Sequence, residues 1–191
     1  MTITESVFSD YEVRQIGVKV EGEESYTAVN CVGSVEEELE ALVVTKNCRG
    51  VVQKTRVRGT GAGTLTISAH MPYAIYTKMY GMVSDGLADG VQAYGRNSVH
   101  PVFSLVMDTY DEDGVQKLRA YPCCIFQAGP ARSTENGAEE VAEIEMEISV
   151  MPDDDGNCLY ECAVNDLGTD TNQIKTKWMT QFTPELVQAA A

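Results

Sequence analysis

The sequence predicts a mainly β protein, and three observations carry that prediction. Apolar and polar residues alternate with a period of two along much of the chain, two Asp-Gly pairs separate strand-like runs, and only one segment has a well-marked helical pattern. A chain of 191 residues is long enough to bury one substantial core. We therefore expect residues 1–191 to form a single domain.

Strands are predicted most clearly where charged or hydroxyl side chains alternate with apolar ones. Residues 35–45 place Glu36, Glu38 and Glu40 on the face opposite most of the apolar side chains. Residues 51–58 place apolar and hydroxyl side chains opposite the basic ones, and residues 65–69 alternate three apolar side chains with hydroxyl side chains. Because successive side chains of a strand point to opposite faces, all three runs indicate half-buried strands.

Two β-hairpins are predicted from turn chemistry. Asp113 and Gly114 stand between two strand-like runs, and so do Asp155 and Gly156. An Asp-Gly pair suits the tight turn of a hairpin because that turn needs positive φ angles.

One flanking helix is predicted over about 71–80. Pro72 suits the first turn of a helix, and Gly81 can end one. A second short helix is predicted to start at Thr183, which can act as its N-cap.

A long irregular segment is predicted at 47–63. Residues 59–63 read Gly-Thr-Gly-Ala-Gly, without the Lys-Ser or Lys-Thr pair of a phosphate-binding loop, and a strand follows where that loop would need a helix. A flexible loop tip is the simpler explanation of these glycines.

The composition excludes several classes of function. The chain has 14 basic and 29 acidic residues, a formal net charge of −15, which is unsuited to gripping a nucleic-acid backbone. No apolar stretch approaches the roughly 20 residues that a membrane span requires, and no secretory signal is recognisable, so no membrane anchor is expected. The six cysteines are therefore expected to be reduced thiols of a protein made in a cytosol.

Charge is divided unevenly along the chain. Residues 41–84 contain no acidic residue and carry a formal +6, so the remainder carries −21. The basic residues of that stretch are Lys46, Arg49, Lys54, Arg56, Arg58 and Lys78. Such polarity favours head-to-tail contacts between identical subunits. The alternative, that these cations neutralise the chain's own glutamates, stays open.

Two rows of glutamates lie on the faces of predicted strands that do not face the core. They are Glu36, Glu38 and Glu40 in one strand and Glu143, Glu145 and Glu147 in another. An active site would pair a buried acid with a distinct partner, whereas similar acids in a row make a negative surface. An ordinary solvated face is the alternative, with cross-strand partners among Lys54, Arg56, Arg58, Lys117 and Arg119.

No catalytic, cofactor-binding or metal-ligating residue is predicted. The two histidines, His70 and His100, are most simply structural residues. A thiol hydrolase that uses Cys123 or Cys124 with His100 is a remote alternative that no local motif supports. The acidic run 153–155 lacks the glycine and glutamate spacing of a calcium loop.

The order of elements, together with two stretches of sequence, resembles a known family. These stretches are Lys78-Met79-Tyr80-Gly81-Met82 and the run 133–148. Over about residues 36–165 the chain resembles the major tail, or tail-tube, proteins of tailed bacteriophages, especially those that infect Gram-positive bacteria.

The resemblance implies a β-sandwich or barrel-like core with one flanking helix. It also implies a structural subunit of the virion tail, made in the cytoplasm of a bacterial host. Subunits would join their sheets into rings, usually hexamers, and the rings would stack into a hollow tube. The implied partners are other copies of the chain, the tape-measure, terminator and baseplate proteins, and a sheath if the tail contracts. Genomic DNA would pass through without specific binding.

The resemblance also implies roles for the charged residues. A long loop or hairpin at about 46–64 would reach the next ring, so the candidate contacts between subunits are Lys46, Arg49, Lys54, Arg56 and Arg58. The termini would act as extended arms, at 1–11 and 169–191. The candidate acids lining the channel are Glu36, Glu38, Glu40, Glu143, Glu145 and Glu147. A tail terminator or connector, or a ring protein next to the baseplate, is the alternative role.

Overall fold

The computed structural model describes residues 9–168 and 172–188, and most of its regular structure is one antiparallel β-sheet. The strands are β1 (Glu12–Val20), β2 (Thr27–Val29), β3 (Val32–Cys48), β4 (Val51–Ala69), β5 (Phe103–Tyr110), β6 (Gln116–Phe126), β7 (Ile144–Met151) and β8 (Tyr160–Ala163). Two α-helices, α1 (Tyr73–Met79) and α2 (Asn172–Gln181), accompany the sheet, with short 3-10 turns at Val164–Asp166 and Pro184–Val187. The mainly β fold class is confirmed.

The strands follow the order β2-β1-β5-β6-β7-β4-β3, and β8 pairs with β6. The sheet curls until the start of β1 lies beside the start of β3, where Tyr11, Val13, Gly33 and Val35 line one cleft. One side of the curled sheet therefore faces inward and the other faces outward, as in the predicted barrel-like core.

The inward side holds the main hydrophobic core. Side chains from β1, β4, β5, β6 and β7 alternate into it, among them Ile16, Ile67, Leu105 and Ile148. Helix α1 packs on this core through Tyr76 and Met79, so the predicted helix is confirmed.

The chain leaves α1 at Gly81, which has a φ of 57°. A Cβ atom there would lie 1.9 Å from the carbonyl oxygen of Val99, so the close approach of the backbone requires glycine.

Of the two predicted hairpins, one is confirmed. Strands β5 and β6 pair directly around the turn, where Gly114 has a φ of 79°. The second prediction was wrong. Strands β7 and β8 both pair with the same edge of β6, β7 opposite Cys123–Phe126 and β8 opposite Lys117–Ala120, so they lie end to end. The turn at Asp155 and Gly156 therefore connects two strands that lie end to end, instead of closing a hairpin.

Helix α2 covers part of the outward side of the sheet. Trp178 and Phe182 are each only 1% exposed, packed with Val106 and Leu118. The indole Nε1 of Trp178 donates a hydrogen bond to the Arg119 carbonyl oxygen at 3.1 Å. This helix was not predicted. The described residues 172–188 of the arm implied at 169–191 pack on the sheet instead of extending from it.

The other predicted elements at the chain ends have mixed outcomes. Residues 1–8, 169–171 and 189–191 lie outside the described residues. Of the predicted arm at 1–11, Tyr11 donates its backbone N–H to the Tyr110 carbonyl oxygen at 2.9 Å, so the chain is already paired there. The predicted helix after Thr183 is a 3-10 turn.

The irregular segment predicted at 47–63 was wrong, because these residues are regular β-structure, and of the loop or hairpin implied at about 46–64 the structure shows a hairpin. Strands β3 and β4 form a long hairpin whose tip is the turn at Arg49 and Gly50, with φ angles of 50° and 78°. Every residue from 36 to 60 is exposed, so the outer part of the hairpin extends beyond the core. Neither described helix is long and apolar enough to cross a membrane.

The packed position of α2 predicts a large stability loss for Trp178→Ala. Emptying this buried site should lower the free energy of unfolding by about 3–5 kcal/mol, as for other buried aromatic residues. Urea unfolding followed by circular dichroism measures the change. The control Lys175→Ala, on the exposed side of the same helix, should change it by less than about 0.5 kcal/mol. Equal stabilities of the two variants would contradict the packing of α2.

Candidate functional site: the acidic face and the basic hairpin

The two glutamate rows predicted from the sequence lie on one face of the sheet, because β4 runs between β3 and β7. Glu36 is opposite Thr66, and Thr66 is opposite Glu147. Residues directly opposite one another in a sheet project to the same side. We call this surface the acidic face; its residues are Ser34, Glu36, Glu38, Thr64, Thr66, Ser68, Glu145, Glu147 and Ser149.

The remaining two predicted acids lie at the borders of the acidic face. The Glu143 carboxylate lies against Gly33, where an added Cβ would be 2.0 Å from its Oε2 atom. Glu143 therefore joins the face beside the start of β3. Glu40 stands where β3 leaves the body of the sheet, and its carbonyl oxygen accepts a hydrogen bond from the Thr60 hydroxyl at 3.3 Å.

No cation neutralises this face within the described part of the chain. None of the six predicted glutamates forms an ion pair among residues 9–168 and 172–188. Lys117 pairs with Glu161 at 2.5 Å, and Arg119 pairs with Asp10 at 2.5 Å, so these two cations act elsewhere. Helix α2 packs over Val106, Leu118 and neighbouring residues of β5 and β6, and the acidic face on β3, β4 and β7 stays open to solvent.

The outer part of the β3–β4 hairpin, residues 41–59, is named here the basic hairpin. Its register places Lys46 opposite Lys54, Val44 opposite Arg56, and Leu42 opposite Arg58. Four of the five predicted contact residues therefore share one face of the hairpin, and the fifth, Arg49, lies in the turn.

The opposite face of the basic hairpin is uncharged. It consists of Ala41, Val43, Thr45, Thr55, Val57 and Gly59. Val43 and Val57 are 57% and 63% exposed, and Val44 on the basic face is 57% exposed. Exposed apolar residues gathered in one element are typical of surfaces that contact another molecule.

Acidic and basic groups lie at opposite ends of the same strand. Glu38 and Lys46 fall on the same face of β3 by alternation, eight residues apart in sequence. At a rise of about 3.3 Å per residue their Cα atoms are roughly 26 Å apart. The Debye length at physiological salt is about 8 Å, so the far end of the hairpin does not offset the charge of the acidic face.

The cysteines and histidines do not form a prepared nucleophile. Complete burial raises the pKa of the Cys124 thiol well above its ordinary value, and burial raises the pKa of Cys162 to about 11. The pKa of Cys123 is also raised, first by burial and then by nearby carboxylates such as Asp153. A catalytic thiol needs the opposite shift.

His100 is engaged on both ring nitrogens. Its Nδ1 atom lies 3.1 Å from the Phe126 carbonyl oxygen, and its Nε2 atom lies 3.1 Å from the Tyr94 hydroxyl. It is therefore held as a structural residue. Among residues 9–168 and 172–188, no three His, Cys, Asp or Glu side chains are grouped to hold a metal ion.

Two parts of these surfaces were not predicted from the sequence. The hydroxyl row Thr64, Thr66 and Ser68 joins the glutamate rows only because β4 lies between distant strands. The uncharged face of the hairpin, including Val57, depends on a pairing that the predicted loop did not include. The period-two pattern over 51–58 predicts a strand, but it does not identify the strand that pairs with it.

The acidic face predicts a measurable repulsion across β4. Glu36 and Glu147 are two strand spacings apart, about 9.6 Å, at which two like charges in water repel by about 0.4 kcal/mol. The double variant Glu36→Gln, Glu147→Gln should therefore melt about 1–2 °C higher than the parent at low salt. Differential scanning calorimetry measures the change.

The matched control is Glu139→Gln, Glu140→Gln, which removes the same charge from an exposed irregular segment. It should shift the melting temperature less, and high salt should erase the difference between the two variants. An equal shift for both variants at low salt would show that the glutamates across β4 do not repel one another.

Thiol reactivity distinguishes the exposed cysteines from the buried ones. Cys31 and Cys48 are exposed, so at pH 8 Ellman's reagent should modify these two thiols rapidly and the other four slowly. Mass spectrometry of the quenched protein identifies the labelled sites. Fast labelling of Cys123 or Cys124 would contradict the raised pKa values and favour the hydrolase alternative.

Comparison with known proteins gives matches among solved structures alone. No protein-family model and no curated protein matches the chain. A chain of the anti-feeding prophage cap (AFP tube terminating cap) has 10% sequence identity and a TM-score of 0.42, over 86% of this chain and 100% of that one. A chain of the AFP baseplate has 10% identity and a TM-score of 0.44, over 85% of this chain and 100% of that one.

A third similar structure is the extended sheath-tube complex of an extracellular contractile injection system, PVC. The matching chain has 10% identity and a TM-score of 0.44, over 86% of this chain and 99% of that one. At these scores the likeness carries no inference about what this chain does.

Proposed function

We propose that this chain is a structural, non-catalytic subunit of a bacteriophage tail tube. Copies of the chain form rings, the rings stack, and the stack encloses a negatively lined channel for passage of the genome. The observation that carries the proposal is the basic hairpin, an exposed element with a cationic face and an uncharged face that includes exposed valines.

The basic hairpin is suited to contact between copies. Lys46 and Lys54 stand directly opposite each other, an arrangement of like charges that destabilises an isolated hairpin. Burial of its exposed valines against another molecule stabilises the contact by roughly 25 cal/mol for each Å² of apolar surface removed from water. A second copy of this acidic chain supplies carboxylates for the cationic face, and the contact is head-to-tail because hairpin and acceptor surface differ.

The edges of the sheet are suited to ring closure. Strand β3 pairs with β4 on one side, and within the described residues no strand pairs with its other edge. A long unpaired edge can accept a strand from another molecule. In the proposed ring, sheets of neighbouring copies join at such edges, which agrees with the sequence resemblance to tail-tube proteins.

The acidic face is suited to line a channel for DNA. Its carboxylates repel phosphates, and its hydroxyls keep the surface wetted without adding positive charge. DNA-binding surfaces have the opposite character, because lysine and arginine release counterions from the backbone. Glu36, Glu38, Glu145 and Glu147 therefore line the proposed channel, with Glu143 and Glu40 at its borders.

The proposed setting is the virion tail, with the chain made in the cytoplasm of a bacterial host. Its partners there are other copies of the chain, arranged in hexameric rings. Further partners are the tape-measure, terminator and baseplate proteins, with a sheath if the tail contracts.

Negative-stain electron microscopy of concentrated protein tests the proposal. Rings and tubes of uniform bore are expected. Protein that stays monomeric at all concentrations and salt conditions would contradict self-assembly. Closed rings that never stack would favour the tail terminator or connector, or a ring protein beside the baseplate.

The cationic face predicts the effect of charge reversal. Arg56→Glu, Arg58→Glu should raise the concentration needed for assembly by about tenfold or more, which corresponds to about 1.4 kcal/mol per contact. Sedimentation of assembled material measures that concentration. The control Lys175→Glu, Lys177→Glu makes the same charge change on exposed residues of α2 and should assemble as the parent does. Normal assembly of the hairpin variant would remove these arginines from the contact.

A further inference from the structure

The glycine motif at 59–63 lies at the base of the basic hairpin, not at a loop tip. Leu39 is opposite Gly63, but Ala41 is opposite Gly59, so β4 carries extra residues that β3 does not match. The unmatched residues 60–62 form a bulge. Bulges bend the strand that contains them.

The bulge lies against the turn between β7 and β8. Gly61 has a φ of 79°, and a Cβ added to it would lie 3.0 Å from the Gly156 carbonyl oxygen and 3.2 Å from Pro152 Cβ. Any other residue would therefore be strained in its backbone and crowded by the turn. Gly59, two residues away, has no atom within 4 Å of the corresponding position.

The turn that meets Gly61 is held by its own hydrogen bonds. The Asp153 carboxylate accepts the backbone N–H groups of Asp155 at 3.0 Å and Asn157 at 2.9 Å. It also accepts the Tyr160 hydroxyl at 2.6 Å, which ties the turn to the first residue of β8. Because β8 is itself paired with β6, these hydrogen bonds hold the turn in a fixed position relative to the sheet.

We propose that this contact is a brace that sets the angle at which the basic hairpin leaves the sheet, with Gly61 as a positioning residue. Residues 40–60 are exposed on both faces, so their direction depends on the base of the hairpin. The brace is a property of the single subunit. Its consequence, that tube assembly needs the hairpin at one angle, rests on the proposed function.

The two exposed cysteines provide a measurement of the hairpin direction. Cys31 precedes β3 and Cys48 ends it, so spin labels on these thiols span the strand and its bend. At about 3.3 Å per residue their separation is roughly 55 Å when the strand is straight, within the range of pulsed electron paramagnetic resonance. Mass spectrometry confirms that only these two sites are labelled.

Gly61→Val and Asp153→Ala act on the two sides of the brace, and Gly59→Val is the matched control. We expect the distance distribution of each brace variant to shift or to broaden about twofold, because a β-branched residue is strained at positive φ and the turn loses its ties without Asp153. Gly59→Val should keep the parent distribution. Thermal unfolding shows which variants retain the folded sheet. If only one brace variant folds, its distance distribution alone decides the test.

Distributions of folded Gly61→Val and Asp153→Ala that match the parent would overturn the brace. The measurement uses the isolated subunit, so a failure of the parent to form tubes counts against the proposed function and leaves the brace result intact. With tubes formed by the parent, both brace variants should yield at least several-fold less assembled protein than Gly59→Val.

Discussion

The pairing of β4 is the constraint on which the rest of the structure depends. Over Gly63–Ala69 this strand is paired on both edges, with β3 on one side and β7 on the other. Over residues 51–59 its one partner among the described residues is β3. The inner part buries Leu65, Ile67 and Ala69 in the core, and the outer part forms the hairpin. One strand thus belongs both to the folded body and to the element that extends from it.

The same pairing determines the distribution of charge. Because β4 separates β3 from β7, glutamates about 110 residues apart in sequence come to lie on one surface, with hydroxyls between them. Because β3 and β4 stay paired beyond the core, lysines and arginines accumulate on one face at the other end. Among the described residues, no ion pair offsets either group of charges.

Local patterns predicted the local features of this fold. Alternation assigned Leu65, Ile67 and Ala69 to the core, and Pro72 and Gly81 marked the ends of α1, because these signals depend on neighbouring residues alone. Pairing partners are not encoded locally. Asp155 and Gly156 have the chemistry of a hairpin turn, but β6 offers two successive stretches of the same edge, which β7 and β8 occupy in line.

The sequence predictions failed most where contacts with distant parts of the chain, rather than local composition, determine the structure. Glycines at 59–63 suggested a loop, whereas cross-strand pairing holds the segment as a strand with a bulge. Helix α2 has few apolar residues, and its stability comes from burying Trp178 beside Phe182 against the sheet. The positions of the candidate site residues followed from alternation, but their grouping into two surfaces required the order of the strands.

A cryo-electron microscopy reconstruction of the assembled protein, at a resolution that shows side chains, tests whether the acidic face lines a channel and the basic hairpin joins subunits. We expect Glu36, Glu38, Glu145 and Glu147 to face the axis of the tube, and Lys46, Lys54, Arg56 and Arg58 to contact another copy. A tube in which the acidic face is buried or turned outward, with the basic hairpin free in solvent, would contradict this expectation.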